Sequence, residues 1–185
     1  MDAAVRLRLR GGDGGTHGLV DEDLKGLSGG EANPGVRFHV WIYRKRPDIN
    51  AIVHTHPPYA SALATTGKPL KTLHMDSAML HGCAHLAEWP GVPIADDEGR
   101  IISTALGSAK TILLANHGLL TTGSYVEEAA YLAVFFERAA RMQLLALQAG
   151  GYKEVRPDLA EEARDFLLQP AIVNATFAYW SRRAS

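Results

Sequence analysis

Apolar residues recur along this chain in two rhythms. Ala51-Ile52-Val53 and Thr111-Ile112-Leu113-Leu114-Ala115 are short, apolar and partly β-branched, and read as buried strands. Between and after them, apolar positions return at helical spacing. Residues 36–46 predict a helix with Val36, Phe38, Ile42 and Tyr43 inward and Arg44, Lys45 and Arg46 outward near its negative end. Pro34 and Gly35 mark its entrance and Pro47 stops it. Pro57 and Pro58 begin a short helix through Tyr59, Leu63 and Ala64 that Gly67 ends. Residues 70–74 predict a strand, followed by a loop carrying Asp76, His81 and His85, and residues 91–94 a further short strand. Asp96 and Asp97 open a helix with Ile101, Ile102, Ala105 and Leu106 on one face, closed by Gly107.

The longest helix runs over 125–147. Ser124, with Glu127 three later, has the spacing of a capping box, and Gly150-Gly151 ends the helix. Its apolar positions, among them Val126, Ala130, Ala133, Val134, Phe136, Ala140 and Leu144, cover most of the circumference. Such a helix is buried on two sides, which points to a subunit contact. Residues 157–168 and 171–180 predict two more helices. Strands alternating with helices indicate a layered α/β domain over 33–185. Before it, residues 1–32 read as an atypical segment. Val5, Leu7 and Leu9 alternate with arginines as in an exposed edge strand, then Gly11-Gly12-Asp13-Gly14-Gly15 and a polar run read as loop. His17, Asp21, Glu22 and Asp23 read there as solvated.

Charge and composition narrow the classes. Net charge is −1 and 46% of residues are apolar, so a globular, soluble protein is expected, with no basic face for nucleic acid. No apolar run is long enough to span a bilayer. The first ten residues lack the apolar core of a secretory signal. A single cysteine, Cys83, forbids an intramolecular disulfide and fits the reducing cytoplasm.

Histidines carry the chemistry. There are eight. At the end of the first buried strand, His54 and His56 are two apart, and alternate residues of a strand point to one face. Pro57 and Pro58 end the ladder there, since neither donates a backbone N–H. At the end of the second strand stands Asn116-His117-Gly118, with a glycine that permits a sharp turn. Three imidazoles without a fourth protein ligand would leave positions open on a cation, as a catalytic metal requires. His39, one turn before Tyr43, reads as a packed helix residue or as one that approaches this strand.

With these stretches placed, the chain resembles the class II aldolase/adducin family. The matching pieces are Arg46-Pro47-Asp48-Ile49-Asn50-Ala51-Ile52-Val53-His54-Thr55-His56, then Asn116-His117-Gly118-Leu119-Leu120, then the capped helix after Gly123. The resemblance covers roughly residues 33–180. It implies a three-layer α/β/α sandwich around a mixed, largely antiparallel sheet. It also implies a divalent metal on His54, His56 and His117, and a homotetramer with active sites between subunits. In the family's sugar-phosphate aldolases a Ser-Ser-Glu stretch supplies the acid/base glutamate. Here those positions read Asn33-Pro34-Gly35, with Gly35 in place of the glutamate. A dianionic phosphate needs several aimed donors, so this loss points away from a sugar phosphate.

Candidates for the missing acid/base follow from the same resemblance. His74-Met75-Asp76 is similar to the His-Ala-Asp stretch of the family's pentulose-phosphate 4-epimerases, which makes Asp76 a proton carrier or, alternatively, a turn-capping residue. Tyr59, three past His56, is a second candidate or a packed aromatic. His81 and His85 would share a face if helical, as a second metal or relay pair, or simply line a loop. Glu31 lies near the missing acid. The resulting expectation is a metal-dependent lyase acting on a small non-phosphorylated hydroxy-carbonyl compound through a metal-stabilised enediolate. Zinc is the default metal, and imidazole also suits manganese, cobalt or iron. Two alternatives stand beside it. One is a non-haem iron oxygenase of an aromatic keto or hydroxy acid. The other is an adducin-like binding module without catalysis.

Overall fold

A computed structural model describes residues 7–10, 17–21, 23–28, 36–91 and 96–184. The chain divides into two compact units, residues 1–45 with 91–103, and residues 46–90 with 104–185.

The first unit holds an antiparallel sheet of three short strands, β1 (Leu7–Arg10), β2 (His17–Val20) and β3 (Gly26–Ser28), in that order. The predicted edge strand is thus present. His17, expected in a loop, instead opens β2 opposite Arg10. A second pairing partner, invisible in so polar a stretch, is what recruits it. Asp21, expected to be solvated, accepts from the N–H groups of Asp23 and Lys25 at 3.0 and 2.9 Å and so shapes the turn between β2 and β3. Helix α1 (Arg37–Lys45) forms as expected, and its buried Val40 packs with Val20. Asp96, at the start of α3 (Asp96–Leu106), accepts from Arg37 and Trp41. The substitutions at 33–35, Glu31 and most of the strand expected at 91–94 lie outside the described residues.

The second unit is built on a mixed sheet in the order β4-β7-β6-β5. Strands β4 (Ala51–Thr55), β7 (Gly118–Gly123) and β6 (Thr111–Leu114) pair antiparallel, and β5 (Ala84–Leu86) joins β6 in parallel. Both β6 and β7 are buried at every position, which is why β6 reads as a nearly continuous apolar run without alternation. Arg46 ties the loops that feed this sheet together. It grips Asp48 bidentately at 2.8 and 2.6 Å and donates to the Gly107 and Ala109 carbonyls at 2.7 and 3.3 Å. The guanidinium beside Asp48 holds its carboxyl down to about 2.

Helix α4 (Val126–Gln148) packs across β7 and β4 and against α2 (Pro58–Ala64), a 3-10 helix (Met75–Leu80) and α6 (Pro170–Ala184). Leu63, Leu113, Leu119, Tyr131, Leu132, Phe136 and Val173 meet in its core. Each such burial contributes about 1.5–3 kcal/mol. Its buried stripe includes Ala129, Leu132, Phe136, Ala140 and Gln143, whereas Val126 and Val134 are exposed. Gln143 is tolerated inside because it donates to the Pro69 carbonyl and accepts from the Lys71 N–H.

Three local expectations are corrected. The N-cap of α4 is Tyr125, and it is Glu128 rather than Glu127 that returns to Ser124, accepting from its N–H at 2.8 Å and its hydroxyl at 2.9 Å. Lys110 at 2.6 Å draws Glu128 inward, a partner the local pattern could not show. Residues 70–74 form no strand. Their polar groups are met by side chains instead, with the N–H groups of Leu73 and His74 donating to the Ser77 hydroxyl. The loop after them contains the 3-10 helix and β5, so His81 follows the 3-10 helix and His85 sits in the strand rather than on one helix. Helices α5 (Pro157–Leu167) and α6 form as expected, α6 running longer at its C-terminal end. Among the described residues no helix is long and apolar enough to cross a membrane.

Candidate metal centre

Three histidine rings converge where β4 ends and the β6–β7 turn begins. Ring centroids of His54, His56 and His117 lie 4.7–4.8 Å apart in every pairing. One ring nitrogen from each falls within 4.8 Å of the others. Cross-strand pairing brings them together, because β4 and β7 register Thr55 opposite Leu119 and His54 opposite Leu120. His117 sits in the tight turn that enters β7, with its N–H donating to the Leu114 carbonyl.

The turn is specified by two residues with different tasks. Asn116 takes the left-handed backbone conformation, φ 53°, which asparagine tolerates better than most side chains. Gly118 does not have a positive φ. It is needed for space, since a Cβ there would lie 2.6 Å from the Thr55 carbonyl oxygen and 2.8 Å from the His56 ring. The sharp turn expected of the glycine is therefore made by its asparagine neighbour, and the glycine lets the strand carrying the histidines approach.

The ring states suit a cation. His54 Nδ1 faces the Leu119 carbonyl oxygen at 2.8 Å, so Nδ1–H donates and Nε2 presents a lone pair. His54 and His56 Nε2 atoms are 3.0 Å apart. Two nitrogens sharing one tetrahedral cation stand roughly 3.3 Å apart, so this spacing suits a shared ion. Burial, and then the neighbouring His117, pushes His54 down to about 4. Burial likewise lowers His117. Burial thus disfavours the charged form of both rings, and neutral imidazole is the state that binds a metal.

The two expected proton carriers stand on helices, Tyr59 on α2 and Asp76 on the 3-10 helix. Asp76 is not in the group of ligand atoms around the three rings. It stands on the 3-10 helix, 3.5 Å from Arg138 of α4. It does not cap the turn. The His74 ring does that, accepting from the Asp76 N–H at 3.1 Å. Tyr59 is partly exposed on α2 beneath the Arg141 guanidinium, 5.3 Å from its ring centre. His81 Nδ1 meets the Thr72 hydroxyl at 3.2 Å.

Glu137 was not legible as part of this centre. Its carboxylate accepts from the N–H groups of Tyr59 at 2.9 Å and Ala60 at 2.7 Å. It thereby clamps the segment leaving His56 to α4. The one available signal was a carboxylate interrupting the apolar run of α4 directly after the buried Phe135-Phe136.

Residues 13–144 match the class II aldolase and adducin N-terminal domain family. The chain belongs to this family. It is 34% identical to the meiotically up-regulated gene 14 protein of Schizosaccharomyces pombe over 71% of the chain and 52% of that protein. It is 33% identical to the 4-hydroxy-3-prenylphenylpyruvate oxygenase/4-hydroxy-3-prenylbenzoate synthase of Streptomyces roseochromogenus over 66% of the chain and 45% of that protein. The chain thus spans about half the length of the curated relatives it matches. Among solved structures, the L-fuculose 1-phosphate aldolase of Glaciozyma antarctica superposes with a TM-score of 0.78 at 28% identity, over 89% of this chain and 65% of that one. The fold is that of the class II aldolases, α/β with a mixed sheet, as the histidine stretches implied.

Proposed function

We propose that this class II aldolase family chain is a divalent-metal-dependent lyase that cleaves or forms a C–C bond in a small hydroxy-carbonyl compound lacking phosphate. The observation that carries the reading is the convergence of His54, His56 and His117, with the Leu119 carbonyl fixing the His54 tautomer. These three residues would hold the ion, and three nitrogen donors suit zinc. Such an ion supplies Lewis-acid polarisation of a substrate carbonyl and stabilises charge as the neighbouring bond breaks. The chain's own contribution is to converge the three rings at the end of a rigid sheet and to keep the exit segment fixed through Glu137. Asp76 and Tyr59 are the proposed proton carriers. The exposed Val126 on α4 supports a homo-oligomer, with a tetramer as the expected form.

A second reading is an oxygenase acting on an aromatic keto or hydroxy acid, supported by the similarity to the prenylphenylpyruvate oxygenase. Metal analysis of the protein purified without added metal, beside His56→Ala, tests the common part. About one equivalent in the wild type and none in the variant is expected, and a metal-free wild type would defeat both readings. Turnover that persists without oxygen separates the lyase from the oxygenase.

A further inference from the structure

Beside the 3-10 helix a second feature of the same unit awaits a role. A cavity of about 320 Å³ lies between His74, Asp76 and Ser77 on one side and Arg138, Ala139, Arg141, Met142 and Leu145 of α4 on the other. Arg138, Arg141, Met142 and Leu145 follow i, i+3, i+4 and i+7 and form one stripe down the helix, with Ala139 beside it. The stripe has a cationic half and an apolar half. Met142 and Leu145 are 45% and 47% exposed, so the apolar wall is open.

Both guanidiniums are held by aromatic rings rather than by tight acid partners. Arg138 lies over Phe135 at 5.1 Å and Arg141 over Tyr59 at 5.3 Å. A ring under the guanidinium face leaves the in-plane N–H edge free to donate. Arg138 has one carboxylate within reach, Asp76 at 3.5 Å, which is beyond a good hydrogen bond. For Arg141, no carboxylate partner is found among the described residues. Two preorganised donor edges beside an open apolar wall match one ligand shape, an oxyanion at one end and an apolar body at the other.

We propose that this cleft binds a small organic carboxylate, with Arg138 and Arg141 on the carboxylate and Met142 and Leu145 on the apolar body. None of the three histidines lines the cleft, which shares only Asp76 with the proposed proton carriers, so binding here does not require a bound metal. Asp76 is its internal competitor, because it occupies Arg138 while the cleft is empty of ligand.

Isothermal titration with benzoate, benzyl alcohol and inorganic phosphate tests this on the protein as purified. Benzoate is expected to bind, with benzyl alcohol and phosphate each roughly tenfold weaker or undetectable, since each lacks one half of the match. Arg138→Gln and Arg141→Gln are expected to weaken benzoate roughly tenfold. Asp76→Asn is expected to tighten it, a gain that a merely structural role for Asp76 would not produce. His56→Ala should leave benzoate binding unchanged. Loss of binding in His56→Ala would place the carboxylate on the histidine centre and overturn the cleft. Phosphate binding as tightly as benzoate would overturn the carboxylate assignment. Absence of binding in the wild type, or indifference to both arginine changes, would overturn the proposal outright. Because the His56→Ala arm is read separately, failure of the metal reading and failure of the cleft are told apart.

Discussion

The histidine cluster and the arginine cleft are joined by α2 and α4, yet they are built on opposite plans. The cluster sits where the edge strand β4 and the β6–β7 turn meet, against two strands buried at every position, with its tautomer fixed by a backbone carbonyl and its turn fixed by one asparagine and one glycine. The cleft hangs on long side chains at the surface of a helix, steadied by aromatic rings. Metal ligation tolerates errors of only a few tenths of an ångström, and a sheet supplies that rigidity. Recognition of an organic ion tolerates adjustment, and flexible arginines supply it. The two regions should therefore respond to mutation very differently.

Gly118→Ala should give the largest effect. Its Cβ would meet backbone on one side and the His56 ring on the other, and the Thr55 carbonyl cannot move without opening the β4–β7 ladder. A loss of about 1–3 kcal/mol is expected from overpacking alone, together with loss of stoichiometric metal. Urea unfolding and metal analysis on one preparation check both. Normal metal content in this variant would mean that the close approach of the strands does not set the site.

Next comes the clamp. Glu137→Ala removes two charge-assisted bonds and leaves the N–H groups of Tyr59 and Ala60 with water at best. Charged hydrogen bonds of this kind contribute about 1.5–3 kcal/mol each before compensation, so a net loss of about 2 kcal/mol is expected. Metal affinity should fall too, because the segment that follows His56 is released. If stability falls while metal affinity holds, the clamp is structural only.

What could be read from the sequence divides along the same line. His54 and His56 were legible because strand alternation puts residues two apart on one face, and His117 because it closes a second apolar run. Leu119 was not legible as a partner, since its role belongs to a carbonyl and depends on cross-strand register. Helical charges are harder still. Arg138 and Arg141 look like any solvated pair until Phe135 and Tyr59 are seen beneath them. Glu128 shows the same limit. Its spacing from Ser124 was off by one from the expected cap because Lys110, eighteen residues away, decides which carboxylate turns inward.

That buried pair gives a pH signature. Burial raises the Glu128 carboxyl, but the Lys110 and Ser124 hydrogen bonds and the Lys110 charge lower it further, so the net value is below the ordinary 4.5. A depressed carboxyl stabilises the fold above its unfolded value, and that contribution is lost as pH falls through the folded value. Glu128→Gln should therefore be less stable than the wild type at pH 7, by about 1–3 kcal/mol. The gap should narrow as pH falls below the ordinary 4.5 and close once the folded carboxyl is protonated. Thermal denaturation across that range checks the sign. A gap that widens on acidification would mean that the carboxylate is not what Lys110 holds.

The smallest effect is expected in the cleft. Arg141 is bound to the fold through the Tyr59 ring, with no carboxylate partner among the described residues. Cation–π contacts at exposed sites are worth about 0.5–1 kcal/mol, and Gln retains part of the side chain's packing. Arg141→Gln should thus change unfolding free energy by no more than about 0.5 kcal/mol, while the same variant loses carboxylate binding. The contrast with Gly118→Ala is the point of the measurement. In the sheet, one added methyl group should cost both stability and metal, because backbone and ligand share the same atoms. On the helix, removing a whole charge should cost the ligand alone, because the guanidinium is not part of what holds the helix in place. Equal destabilisation by the two changes would mean that the cleft is an integral part of the core and that its arginines are structural.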